Sequence, residues 1–298
     1  MKNFLRKSLI DTAHLLEVFA KQLRGAADKV IPEKRLFLLD CEAQNWENVR
    51  PCFVLSTGRS GTLLLNNVLA FSPNASPLHE PVPELYRPSR LAYEKISHSP
   101  KIFREVFKSA REEYILKAAR QDKVYIETNN QCTFFAPVIR DIFPNAIFIH
   151  LVRHPGSFVR SGIRRKWYTG EHSHDIGRIV PLNGELKENW ETLSLIEKNA
   201  WLWNETNKFI EDFKKDLPPE SCLYVKAEQL FKDIKITEKI YNFIGLEEFN
   251  RKKVAKAIRK PANVQKKGDF PPYKNWPQAD KERFKKMTPL AAKYGYEL

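Results

Sequence analysis

Cysteine is scarce in this chain, with four residues, Cys41, Cys52, Cys132 and Cys222, among 298. None stands at metal-ligand spacing. Two open or precede apolar runs that read as buried strands, so the four are expected to be reduced thiols in a reducing, cytoplasmic compartment. No apolar run approaches the roughly 20 residues of a membrane-spanning helix, and no secretory leader is expected. Internal repeats and low-complexity tracts are lacking too. Acidic residues are outnumbered, 36 Asp and Glu against 50 Lys and Arg, for a net charge of +14. Such a surplus favours a polyanionic partner: nucleic acid, an anionic membrane or a phosphate-rich cofactor. A solvated basic surface accounts for charge alone more simply.

What is present is an ordinary globular composition, 42% hydrophobic and 29% charged. The length suits one large α/β domain or two small ones. Residues 1–50 form a lead-in. Within it Leu5, Leu9, Leu16, Phe19, Ala20 and Leu23 recur at helical spacing, flanked by Lys and Arg. That helix either packs on the domain or rests on a membrane surface. Residues 51–298 form a single domain. Short apolar runs at Cys52–Ser56, Lys123–Glu127, Ala146–Val152 and Cys222–Lys226 read as strands. Helical patterns lie at Leu63–Ala70, Ile102–Arg120, Phe158–Tyr168, Trp190–Phe213 and Lys232–Ile244. The proline-rich stretch Ser72–Pro88 is expected to be irregular. The last forty residues are expected to be a basic loop closing over a site, then a short helix. Fully apolar strands alternating with helices predict a central parallel sheet in an α/β fold.

The first strand runs into Thr57-Gly58-Arg59-Ser60-Gly61-Thr62 and then a helix. Glycines at that turn let backbone N–H groups approach an anion, and the helix N-terminus adds unpaired donors and a positive dipole end. Arg59 adds a fixed charge; Ser60 and Thr62 add hydroxyls. A Walker A loop would need Lys directly after its second glycine, then Ser or Thr. Gly61 is followed by Thr62, and the cation precedes it.

Phe53 to Leu64 resembles the 5'-phosphosulfate loop of sulfotransferases that use 3'-phosphoadenosine-5'-phosphosulfate (PAPS). The resemblance is nearest to carbohydrate-type and bacterial soluble members. It implies a P-loop-like sulfotransferase fold in which Thr57 to Thr62 bind the 5'-phosphosulfate. At the end of the third expected strand, Arg153 is followed eight positions on by Ser161. This is similar to the family's 3'-phosphate motif, and a guanidinium suits a phosphomonoester chemically. Many members have Arg-Asp-Pro-Arg-Asp there; this chain has His154 and Gly156-Ser157. Leu223 to Leu230 resembles another family segment, with Ala227 where an aromatic usually lies near the adenine and Glu228 available as a helix cap. The basic segment from Arg259 to Gly268 resembles the loop that covers the 3'-phosphate, with Lys267 and Gly268 as the matching residues and Arg259 as a further candidate. The resemblance covers about residues 51–298.

Sulfuryl transfer is an in-line displacement governed by positioning and charge stabilisation. The donor carries an activated leaving group, so no metal is expected. The acceptor's hydroxyl or amine must lose a proton to a placed base. Leu78-His79-Glu80-Pro81 resembles a Glu-Pro pair of carbohydrate-type members, which suggests Glu80 as base with His79 second, beside Arg59. Thr128-Asn129-Asn130 reads as a turn or as an acceptor contact. His150 reads as a core residue; His172 and His174 read as solvated loop residues. Residues Pro81–Arg120 and Trp167–Asn189 are expected to form the acceptor pocket, for a sugar, a glycolipid or a small metabolite. The product would be adenosine-3',5'-bisphosphate (PAP). No nucleic-acid partner is expected. A P-loop kinase or NTPase, and a non-catalytic basic protein binding membrane or nucleic acid, remain the alternatives.

Overall fold

The computed structural model describes residues 46–171, 173–259 and 269–298. The expected N-terminal helix, Cys41, His172, Lys267 and Gly268 lie outside them. Five strands form one sheet: β1 (Cys52–Leu55), β2 (Ala75–Leu78), β3 (Val124–Glu127), β4 (Ile147–Val152) and β5 (Cys222–Lys226). Their order is β2-β3-β1-β4-β5, and every neighbouring pair is parallel. β1 and β4 are buried along their whole length. Alternate residues serve opposite faces, as strand geometry requires. Phe53, Leu55, Phe148 and Val152 join one core; Cys52, Val54, Ile149 and Leu151 join the other.

The helices that matter for the site are α1 (Thr62–Leu69), α2 (Tyr86–Lys95), α3 (Pro100–Arg120), α4 (Ala136–Ile142), α5 (Pro155–Ile163), α6 (Leu195–Lys214), α7 (Ile234–Ile244), α8 (Arg251–Ile258) and α9 (Gln278–Met287). Several depart from expectation for local reasons. The stretch Ser72–Pro88 is not irregular throughout, since it holds β2 and the start of α2. α6 begins at Leu195, not Trp190, because Ser194 and Glu197 close a capping box. α5 ends at Ile163, because the N–H groups of Arg165 and Trp167 both turn back to the carbonyl of Gly162. The C-terminal segment carries α9 and a further turn, Leu290–Lys293, rather than one short helix.

One buried polar cluster braces the sheet end. Arg111 of α3 and Glu127 of β3 are both fully buried, and Nε of Arg111 reaches both carboxylate oxygens at 2.9 Å. Tyr125 and Asn129 donate to the same carboxylate at 2.8 and 2.9 Å. The other guanidinium nitrogens donate to the carbonyls of Pro83 at 3.0 Å and Pro81 at 3.3 Å. The strand-end loop after β2 is thereby fastened to α3. Cys52, Cys132 and Cys222 carry free thiols, and among the described residues no helix is long and apolar enough to cross a membrane.

Removing one partner of a buried ion pair leaves a charge without compensation. Arg111→Ala is expected to cost about 3–5 kcal/mol in urea unfolding. A loss below about 1 kcal/mol would show that the cluster does not brace the fold.

Candidate active site

The site lies past the carboxyl ends of β1 and β4, which pair in register from Cys52 with Ile147 to Leu55 with His150. After β1 the chain turns sharply. Gly58, Arg59 and Gly61 have φ of +78°, +55° and +93°. Left-handed backbone of this kind, next to ordinary residues, gathers N–H groups into an anion-binding concavity. The turn is held from within: Gly58 N–H donates to Ser56 Oγ at 3.2 Å, and Ser60 Oγ donates to the Gly58 carbonyl at 3.0 Å. Gly61 could not be another residue without change, since a Cβ there would lie 2.5 Å from the ring of Phe231. No side chain caps α1, and the first-turn N–H groups of a helix have no partner within the helix.

After β4, Arg153 Nη1 donates to the carbonyl of Arg59 at 2.6 Å. Arg59 Nε donates to Ser161 Oγ at 3.3 Å. The residues expected to hold the two phosphates are thus joined in one hydrogen-bonded unit. Burial pushes Arg59 down to about 10, with the nearby charges of Arg165 and Arg153 adding to the effect. Burial also lowers Arg153. Crowded, half-buried guanidinium groups are what a bound anion would relieve.

A cavity of about 490 Å³ opens over this unit, lined by Thr57, Gly58, Arg59, Gly61, Thr62, Arg153 and Ser161. Ser60 is not in its wall; its hydroxyl is spent on Gly58 and the residue is buried. His79 and Glu80 stand in the same wall. His79 Nδ1 is 2.8 Å from the carbonyl of Thr128 and 3.0 Å from its hydroxyl. A carbonyl can only accept, so Nδ1 carries a proton, and in the neutral ring Nε2 is then the acceptor. Glu80 has φ of +48°, held next to the Pro81 and Pro83 carbonyls that Arg111 grips.

Several lining residues were not picked out from the sequence. Phe231, Arg160 and Arg164 join the wall, as does Arg259, which the sequence had offered as a further candidate, while Trp167 and Arg178 come from a segment expected to line the acceptor pocket. Phe231 carries no motif of its own; its ring matters because it packs on Gly61. Asn130 lines the cavity, whereas Asn129 is turned inward to cap the following turn. His150 is a core residue with Nε2 at 2.9 Å from Asn207 Oδ1. His174 is not simply solvated: its ring stacks on Tyr86 at 3.9 Å.

The departures at Arg153-His154-Pro155-Gly156 have local explanations. His154 caps α5, its Nδ1 accepting from Gly156 N–H at 3.1 Å, the job an aspartate does at a helix start. Gly156 meets the C-terminal segment, and a Cβ on it would lie 2.8 Å from Tyr273. Glu228 does not cap its own helix; it accepts from His154 N–H at 2.9 Å and Tyr296 Oη at 2.8 Å.

The sulfotransferase family model matches residues 51–251. The chain belongs to the sulfotransferase family. Among solved structures, it is similar to the sulfotransferase domain from the curacin biosynthetic pathway, at 16% identity and a TM-score of 0.51, over 84% of this chain and 99% of that one. It is also similar to the sulfotransferase domain of the Synechococcus PCC 7002 olefin synthase (18%, TM-score 0.48, 85% and 98%). A sulfotransferase from Alicyclobacillus acidocaldarius matches at 14%, with a TM-score of 0.48, over 84% and 98%. No curated protein matches the chain. Membership of that family indicates a transferase.

Burial holds His150 and His154 below their ordinary value of 6.5. The unfolded chain takes up those protons near 6.5, and the native chain resists them to lower pH. Stability is therefore full above pH 6.5 and falls as pH drops below it. Tm measured between about pH 8 and pH 5 is expected to decline over the acidic half of that range. His154→Asn, which keeps a cap acceptor without a proton to gain, is expected to flatten the decline; an unchanged slope would contradict the role given to His154.

Proposed function

We propose that this sulfotransferase moves a sulfuryl group from PAPS to a hydroxyl or amine of a small acceptor, with Glu80 as the base. The observation that carries this reading is a junction of two cavities. A second cavity, of about 260 Å³, adjoins the first, and the two share Thr57, Arg59, Glu80, Asn130, Trp167 and Arg178. In-line transfer needs donor and acceptor to meet across one point, with the base on one side and cationic stabilisation on the other. Glu80 is the one carboxylate among those shared residues, and Arg59 belongs to the phosphate-binding turn.

The residues fit an adenosine-3',5'-bisphosphate skeleton. The uncapped start of α1, with Arg59, suits a 5'-phosphosulfate. Arg153 and Ser161 suit a 3'-phosphate, and Phe231 supplies an aromatic ring in the same wall. PAPS, when bound, supplies an activated sulfuryl group whose leaving group is a phosphate. The chain's own part is to take the acceptor's proton on Glu80 and to stabilise the negative charge that grows on the leaving 5'-phosphate. Arg59 and the α1 N–H groups supply that stabilisation. His79 is a second candidate for the proton, because Thr128 fixes its tautomer with Nε2 as acceptor.

Calorimetry with PAP in the absence of magnesium tests the donor site. The wild type is expected to bind, and Arg153→Ala to lose about 10–100-fold, the worth of one charge-assisted contact. Binding of ATP with magnesium and not of PAP would replace this reading with a kinase one. Glu80→Gln is expected to bind PAP as the wild type does. It should lose transfer from ³⁵S-labelled PAPS by about 10²–10⁴-fold, as loss of a general base does. If His79→Asn shows that loss and Glu80→Gln does not, the base is His79.

A further inference from the structure

The second cavity holds more positive charge than its own carboxylates answer. Its wall contains Arg59, Arg165 and Arg178 against a single carboxylate, Glu80. Arg178 is matched within the fold: its Nε donates to Asp175 Oδ1 at 2.7 Å, and its guanidinium lies 3.8 Å from the centre of the Trp167 ring. Arg59 faces the donor cavity as well. Glu80 interacts through charge with both Arg59 and Arg165, so one carboxylate is divided between two cations.

Arg165 is the remainder. Its Nε is buried and has no hydrogen-bond partner. A buried N–H donor left unpaired costs about 1–3 kcal/mol, more in a charged group, and such groups in native structures call for a ligand or another stated reason. Arg165 lines the second cavity and is absent from the wall of the donor cavity. Its placement is fixed by the fold. It follows Ser161 by four residues, in the turn that closes α5 on the Gly162 carbonyl. Gly162 is packed so closely that a Cβ would lie 2.1 Å from Asn199 and 2.7 Å from Trp167. One end of α5 therefore sends Ser161 to the donor side and Arg165 to the acceptor side.

Resting on the sulfuryl-transfer reading, we propose that the acceptor itself carries an anionic group, a carboxylate or phosphate beside the hydroxyl to be sulfated, and that Arg165 binds it. The guanidinium fork matches either group with two parallel hydrogen bonds. The anion at Arg165 orients the acceptor so that its hydroxyl lies toward Glu80. The cavity, at about 260 Å³, falls just below the roughly 300–1,000 Å³ of sites for drug-sized ligands. The portion bound there is therefore small. The stacked Tyr86 and His174 rings form one side of it.

The test is calorimetry on protein saturated with PAP, so that the phosphate sites of the donor cavity are filled. The probes come in matched pairs: 4-hydroxyphenylacetate with its methyl ester, glucuronate with its methyl ester, and glucose 1-phosphate with glucose. At least one anionic member is expected to bind more than tenfold tighter than its neutral partner. Arg165→Gln should lower that affinity at least tenfold and leave the neutral partner unchanged while PAP still binds, which also shows that the variant is folded. Arg165→Lys should recover part of the preference. Equal binding of charged and neutral partners, an unaffected Arg165→Gln, or silence of every anion on PAP-saturated protein would each overturn the proposal. If PAP itself does not bind, the sulfuryl-transfer reading fails first and this one falls with it.

Discussion

The bond from Arg153 to the carbonyl of Arg59, 2.6 Å long, joins the two loops on which the site depends. Each loop leaves the end of a central strand, and the two strands run parallel and in register. Without that link, the turn at Gly58 to Gly61 and the start of α5 would be separate surface features. With it, the first-turn N–H groups of α1, the Arg59 charge and the Ser161 hydroxyl form one concave wall. The same contact places two guanidinium groups close together in a half-buried setting, an arrangement that a polyanion stabilises and that water serves less well.

Two of the described residues with left-handed, non-glycine backbone stand in this wall. Arg59 and Glu80 both hold left-handed backbone, at φ of +55° and +48°. Such a conformation in a residue with a Cβ costs on the order of 1–3 kcal/mol and persists only where the surroundings fix it. Arg59 is fixed by Arg153 and Ser161. Glu80 is fixed through its neighbours, whose carbonyls are gripped by Arg111. The buried Arg111–Glu127 pair does not line the cavity, yet it sets the position of the loop that carries the carboxylate. Stability and function are thus linked by one set of hydrogen bonds.

Much of this was legible in the sequence because the relevant segments are continuous. β1, β3, β4 and β5 read as apolar runs, and the two phosphate motifs each follow a strand directly. β2 was missed for a physical reason: Ala75-Ser76-Pro77-Leu78 is an edge strand, half-exposed, and an edge tolerates the proline that a central strand refuses. α2 was hidden by the prolines before it. His154 read as a departure from the family pattern, whereas the structure gives it the cap role an aspartate would have. The second cavity was the least legible part. Tyr86, Trp167, His174 and Arg178 fall in the two segments expected to line an acceptor pocket, but Arg165 and Asn130 lie outside them and no spacing rule links them to the rest. Only packing shows that Arg165 lines this cavity and that its buried Nε lacks a partner.

The central claim is that donor and acceptor meet at Glu80 and Arg59. A crystal structure of the PAP complex tests it most directly. The account predicts the 5'-phosphate against the N–H groups at the start of α1, the 3'-phosphate against Arg153 and Ser161, and the Glu80 carboxylate facing the 5'-phosphate across the mouth of the second cavity. PAP bound in the reverse sense, or in a place from which the 5'-phosphate cannot face Glu80, would contradict it.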